Sequence, residues 1–199
     1  MANAQFGEDE LVLAQFPDGF KGVAVDVGAC DGVLLSNTHL LEQRGWQVYC
    51  IEPNPHWEGG LKANNKRYLL VACAERNEDN VPFHVCSPPE SYSSLINHGR
   101  TPYTGITVPV HTLDWCLNEF GVTHMDVLSI DVEGSELDVL AGFDIGKWRP
   151  KVIVIENWAI HTRQGETDRV EKVLAPHGYT LILRNAVNEV YRYRDGIDV

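Results

Sequence analysis

Val23-Ala24-Val25-Asp26-Val27-Gly28-Ala29-Cys30-Asp31-Gly32 decides the fold. Its first half is a nearly continuous apolar run with β-branched valines at 23, 25 and 27. Such a run reads as a strand covered on both faces, because a half-exposed strand alternates polar and apolar residues. It empties into a turn bracketed by Gly28 and Gly32, with helical spacing to follow. A buried strand, a glycine turn and a helix form the opening unit of an open α/β sheet, where ligands bind beyond the carboxyl ends of the strands.

Similar runs recur outward from this one. Gln47–Glu52, Tyr68–Ala74, Met125–Ile130, Val152–Glu156 and Tyr179–Leu183 are each short and rich in β-branched or aromatic residues. Between them Asn37–Arg44, His56–Asn65, Leu113–Phe120, Ser135–Gly142 and Asp168–Pro176 carry helical spacing. Ser36 and Thr112 are placed to cap helix starts, and Gly45, Gly121 and Gly178 to end helices. The alternation predicts a doubly wound, Rossmann-like α/β fold with a mostly parallel sheet. Arg184–Asn188 is too short for a helical crossover, so Glu189–Tyr193 is expected to return antiparallel as the last strand. Val81–Val85 and Ile106–Val110 bracket the Pro, Ser and Gly-rich stretch Ser87–Gly105, read as a surface excursion, with Tyr92 and Tyr103 on a lid over the cleft.

The 199 residues fit one domain, residues 1–199, and 44% apolar residues can fill its core. Residues 1–10 carry Glu8, Asp9 and Glu10 without a basic residue, unlike a secretory leader. No apolar run is long enough to span a bilayer, and five cysteines without a Cys-x-x-Cys pair read as reduced thiols. A cytoplasmic protein without a membrane partner is expected. The net charge of −12 argues against nucleic acid, leaving RNA only a local patch such as Lys62, Lys66 and Arg67.

The first turn lacks the Gly-x-Gly-x-x-Gly of a dinucleotide site and has acids instead, Asp26 before one glycine and Asp31 before the other. Carboxylates repel a pyrophosphate but favour an ammonium or sulfonium, as in S-adenosylmethionine. Gly28, Ala29 and Gly32 would let backbone approach that ligand closely. Ile51-Glu52-Pro53-Asn54 ends the second run, and Glu52 is suited to accept both ribose hydroxyls. Ile130-Asp131-Val132-Glu133-Gly134-Ser135-Glu136 delivers further carboxylates to the same edge, of which Glu136 suits the start of a helix.

With these segments goes Gln5-Phe6-Gly7-Glu8-Asp9, and Ser36-Asn37-Thr38 follows the first turn. In order and spacing the set resembles the FkbM-type methyltransferases, a branch of the class I enzymes, over roughly residues 5–142. The resemblance implies methyl transfer from S-adenosylmethionine to an oxygen of a sugar, glycan or polyketide-like small molecule. It brings Asp9, Asn37, Pro53, Asn54 and Asp131 into the cofactor set with Asp26, Gly28, Ala29, Asp31, Gly32 and Glu52. Alternatives are an NAD-dependent oxidoreductase, which shares the fold and the ribose acid, and a non-catalytic binding module of methyltransferase fold.

An alcohol is a poor nucleophile at neutral pH and needs a general base or a metal ion. Asp131 ends one strand, and Glu156 and Asn157 end the next. Their placement is similar to that in the magnesium-dependent catechol-type O-methyltransferases, which implies a divalent cation such as Mg²⁺. His161, Asp131 or Glu133 acting as base is the metal-free alternative.

Overall fold

A computed structural model describes residues 4–87, 90–99, 103–157, 159 and 167–194. Its seven-stranded sheet has the order β3-β2-β1-β7-β8-β10-β9. The strands are β1 (Val23–Val27), β2 (Gln47–Ile51), β3 (Arg67–Leu69), β7 (Val127–Ile130), β8 (Val152–Glu156), β9 (Tyr179–Arg184) and β10 (Asn188–Tyr193). β1 pairs parallel with β2 and β7, and β7 with β8. The hairpin returns as expected: β10 runs antiparallel to both β8 and β9, between them. Helices pack on both faces of the sheet.

Period-two alternation assigns those faces. Val23, Val25, Val27, Leu128, Ile130, Ile153 and Ile155 enter one core with α4 (Leu113–Glu119), α5 (Glu136–Ala141) and α7 (Arg169–Leu174). Ala24, Val48, Cys50, Val127, Val152 and Val154 enter the other with α1 (Glu8–Leu13), α2 (His39–Gln43) and α3 (Glu58–Ala63). α6 (Ile145–Trp148) adds one turn to the first face. Thr112 caps α4 by accepting from Trp115 N at 3.2 Å, and Gly45, Gly121 and Gly178 all take the left-handed conformation after helices. Ser36 caps from a little further out, its Oγ accepting from Thr38 N and His39 N.

Two expectations change. The apolar run Tyr68–Ala74 is not one strand: β3 joins the main sheet, and β4 (Ala72–Cys73) joins a second, three-stranded sheet of order β4-β6-β5. β5 (Glu78–Cys86) and β6 (Tyr103–His111) form a hairpin longer than the two short runs expected there. The intervening segment also packs inward. Ser94 is buried, exchanges backbone hydrogen bonds with His84, and gives its hydroxyl to Glu133 O at 2.8 Å. Of the basic residues Lys62, Lys66 and Arg67, the first pairs with Glu58 and the second is buried against Glu42, which leaves Arg67 exposed. All five cysteines are free, and among the described residues no helix is long and apolar enough to cross a membrane.

Candidate active site

Register builds the site. Val27 lies opposite Ile51 on one side and Ile130 on the other, and Ile130 opposite Ile155. The next residue along each of these four parallel strands is Gly28, Glu52, Asp131 or Glu156. One level of the sheet therefore hands three carboxylates and a glycine turn to a single edge. A cleft along that edge divides into an apolar and an acidic end, with Gly28, Cys30 and Asp131 lining both.

The apolar end, about 480 Å³, is walled by Ile51, Trp57, Val71, Phe83 and Leu95, with Glu52 and Pro53 at its rim. Glu52 is clasped by two backbone donors, Cys30 N at 2.9 Å and Asn54 N at 2.7 Å. Burial nevertheless pushes its carboxyl up to about 8. Asn54 acts behind the wall: it is buried, its Oδ1 accepts from His56 N, and its amide donates to Ser93 Oγ.

The acidic end is larger, about 900 Å³, and includes Asp26, Asn37, Ser129, Asp131, Glu133 and Glu156 in its wall. Carboxylate oxygens of Asp131, Glu133 and Glu156 lie within 4.8 Å of one another. Burial, followed by the charges of Glu136, Asp26 and Glu8, raises Asp131 to about 7. Burial and then Asp131 push Glu156 well above the carboxylate range. Glu133 has a left-handed backbone, φ 57°, and its carbonyl is held by Ser94 Oγ and lies 2.7 Å from His98 Nε2. Glu136 stands at the start of α5, as expected, and accepts from Gly134 N at 2.8 Å.

Asp26 sits in a polar layer below this end. Thr38 Oγ1 and Ser36 Oγ donate to it at 2.7 and 3.0 Å, while burial raises its pKa against those hydrogen bonds. Asn37 gives its amide to Ser129 Oγ at 3.2 Å, which leaves its buried Oδ1 without a partner. Ser129 was not anticipated, although its register opposite Asp26 could have exposed it. Ala29 lines the acidic end beside Cys30.

Several expected residues do something else. Asp31 lies away from the cleft and closes its own turn, Oδ1 accepting from Val33 N at 2.9 Å and Leu34 N at 2.7 Å. A β-carbon on Gly28 would meet Asp131 O at 1.6 Å, and one on Gly32 would meet Lys66 Cε at 2.7 Å. Both glycines, φ 86° and 75°, thus admit neighbouring parts of the chain; Gly28 also lines both ends of the cleft, whereas Gly32 lines neither. Asp9 is buried in α1, where its carboxylate meets Glu10 N and Ala4 N. Its neighbour Glu8 reaches toward the site edge, accepting from Asn185 and Asn188 at 2.8 and 2.7 Å. Asn157 donates to Thr167 O at 2.8 Å, and the third carboxylate beside Asp131 and Glu156 is Glu133. His161 lies outside the described residues.

Comparison with known proteins agrees with this geometry. Residues 26–181 match the methyltransferase FkbM domain. The chain is 30% identical to 31-O-demethyl-FK506 methyltransferase FkbM of Streptomyces tacrolimicus, over 80% of this chain and 73% of that protein. It is 28% identical to 2-O-methyltransferase NoeI of Sinorhizobium fredii, over 60% of this chain and 56% of that one. The crystal structure of methyltransferase FkbM from Methylobacillus flagellatus KT shares the fold with a TM-score of 0.55 at 16% identity, over 87% of this chain but 44% of its own length. From the strand-end carboxylates to the extent of the match, the chain belongs to the FkbM methyltransferase family.

Proposed function

We propose that residues 1–199 form a single-domain, cytoplasmic, S-adenosylmethionine-dependent O-methyltransferase whose acceptor is a hydroxyl of a sugar, glycan or polyketide-like small molecule. The observation that carries this reading is the aligned strand ends, which set Glu52 at the apolar end of one cleft and Asp131 at its acidic end. The residues present fit the cofactor. Trp57, Val71 and Phe83 offer an apolar slot for an adenine ring, and Glu52 retains lone pairs for ribose hydroxyls. The unpartnered Asn37 Oδ1 supplies an acceptor for an ammonium group, which the surrounding carboxylates also favour. A pyrophosphate would meet those same charges, which counts against NAD.

Once bound, the sulfonium supplies an electrophilic methyl group. Asp131 takes the proton of the acceptor hydroxyl, and a carboxyl near 7 is matched to that task at neutral pH. Glu156, pushed well above the carboxylate range by burial and by its acidic neighbours, keeps its own proton, which leaves Asp131 as the member able to accept. Thermal-shift titration tests the cofactor: S-adenosylmethionine and S-adenosylhomocysteine should raise the melting temperature and NAD should not. Turnover against a glycan panel separates an enzyme from a binding module.

The cluster of Asp131, Glu133 and Glu156 favours a second reading, in which hard oxygen ligands hold Mg²⁺ and the ion orients the acceptor oxygen. Loss of turnover on chelation, restored by Mg²⁺, would replace the base with the metal. Turnover that survives chelation but not His161→Ala would instead move the base to that histidine.

A further inference from the structure

Leu34 and Leu35 are large apolar side chains left 46% and 54% exposed, and both line the acidic end of the cleft. Leu35 adopts φ 54°, a conformation that L-residues with large side chains rarely take. The turn is pinned from both sides. Asp31 Oδ1 accepts from Val33 N and Leu34 N, while Ser36 N donates to Val33 O and Ser36 Oγ to Asp26. The leucines are thus presented by a fixed loop. Below them the wall carries Asp26, Asp131, Glu133 and Glu156, with no Lys or Arg among the described residues lining the cleft.

We propose that Leu34 and Leu35 form the specificity shelf of the acceptor site, selecting a molecule with an apolar body and no anionic group beside its reactive hydroxyl. The proposal rests on reading this cleft as the place of methyl transfer. Apolar surface beside the hydroxyl would cover both leucines and gain the free energy of leaving water. An acceptor carboxylate or phosphate would instead face like charges. Continuity with the acidic cluster distinguishes the shelf from an ordinary exposed pair, because an occupant of the cleft must touch both.

Calorimetric titration of the full chain with octyl β-D-glucopyranoside, methyl β-D-glucopyranoside and octyl β-D-glucuronide tests this, with and without S-adenosylhomocysteine. The octyl glucoside should bind at least about tenfold tighter than the methyl glucoside, and about tenfold tighter than the octyl glucuronide. In the double variant Leu34→Ser, Leu35→Asn the octyl preference should fall to within about twofold. Leu34→Ser alone, away from the left-handed residue, should lose a substantial part of it even if the double variant folds poorly. No octyl preference in the natural chain, or a full preference kept in folded Leu34→Ser, overturns the shelf. Equal binding of glucoside and glucuronide overturns the charge selection. Failure of S-adenosylhomocysteine to bind, with the preference intact, would instead count against the cofactor reading alone.

Discussion

The two ends of the cleft handle the same problem, a carboxyl drawn away from water, in different ways. Glu52 meets two backbone N–H groups at 2.9 and 2.7 Å, so the turn and the strand end are locked onto one side chain. Asp131 faces Glu156 and Glu133, and its charge is opposed by Glu136, Asp26 and Glu8 as well. Both carboxyls are raised, Glu52 to about 8 and Asp131 to about 7, but one is tied to backbone donors and holds geometry whereas the other faces a cluster of its own sign. Strain of the second kind is expected where a protein exchanges a proton, and it costs stability.

The sharpest way to break this comparison is Asp131→Asn. Turnover should fall at least about a hundredfold, the lower range for loss of a general base, while the cofactor dissociation constant changes little. The melting temperature should rise, because a half-buried charge among like charges has gone; a drop would show that Asp131 is structural after all. In the unaltered enzyme kcat/KM should climb as pH passes through about 7 and level off above it, since only ionised Asp131 accepts the proton.

Glu52→Gln should act at the other end. Replacing one of its two carboxyl oxygens with an amide donor predicts about tenfold weaker S-adenosylhomocysteine binding in calorimetry, with turnover at saturating cofactor largely retained. Unchanged affinity would remove Glu52 from the ribose.

The same residue sets a stability trend. Its carboxyl is raised from 4.5 to about 8, so between those values the folded chain holds a proton that the unfolded chain has lost. Stability is therefore fully present below about 4.5 and declines as pH rises toward about 8. Melting curves at pH 5.5 and 8.5 should differ by about 3 °C or more, and Glu52→Gln should narrow the gap. A gap of the same width in the variant would assign it to other groups.

The smallest effect belongs to Asp31→Ala. Losing a side chain that caps two turn N–H groups costs about 1 kcal/mol, or about 2–4 °C in melting temperature. Cofactor affinity should stay within about twofold, for Asp31 lies outside the cleft. A large loss of affinity would return it to the binding site.

Buried strands were the most legible part of the sequence, because β1, β7 and β8 are continuous apolar runs and their end residues fall at one level by register alone. Glu52, Asp131 and Glu156 were readable for that reason. The division of Tyr68–Ala74 between two sheets was not, since Leu70 and Val71 remain apolar while the chain passes from one sheet to the other. α1 and α6 also went unread: α1 opens on the acids Glu8, Asp9 and Glu10, which read as a charged lead-in, and α6 is a single turn of four residues. The direction of a turn acid is equally silent: Asp26 and Asp31 each precede a glycine, yet one underlies the site and the other ties its own loop. Only hydrogen-bond partners separate them.

β10 lies between β8 and β9, although it follows both in the chain. During synthesis β9 therefore emerges before the strand that connects it to the sheet, and β8 waits with one edge open. Glu156 gains its cross-strand partner Asn188 only when β10 inserts. Assembly of the acidic end is thereby tied to one of the last events of folding, so a nascent chain stalled before Asn188 would expose a β-edge and lack a finished centre.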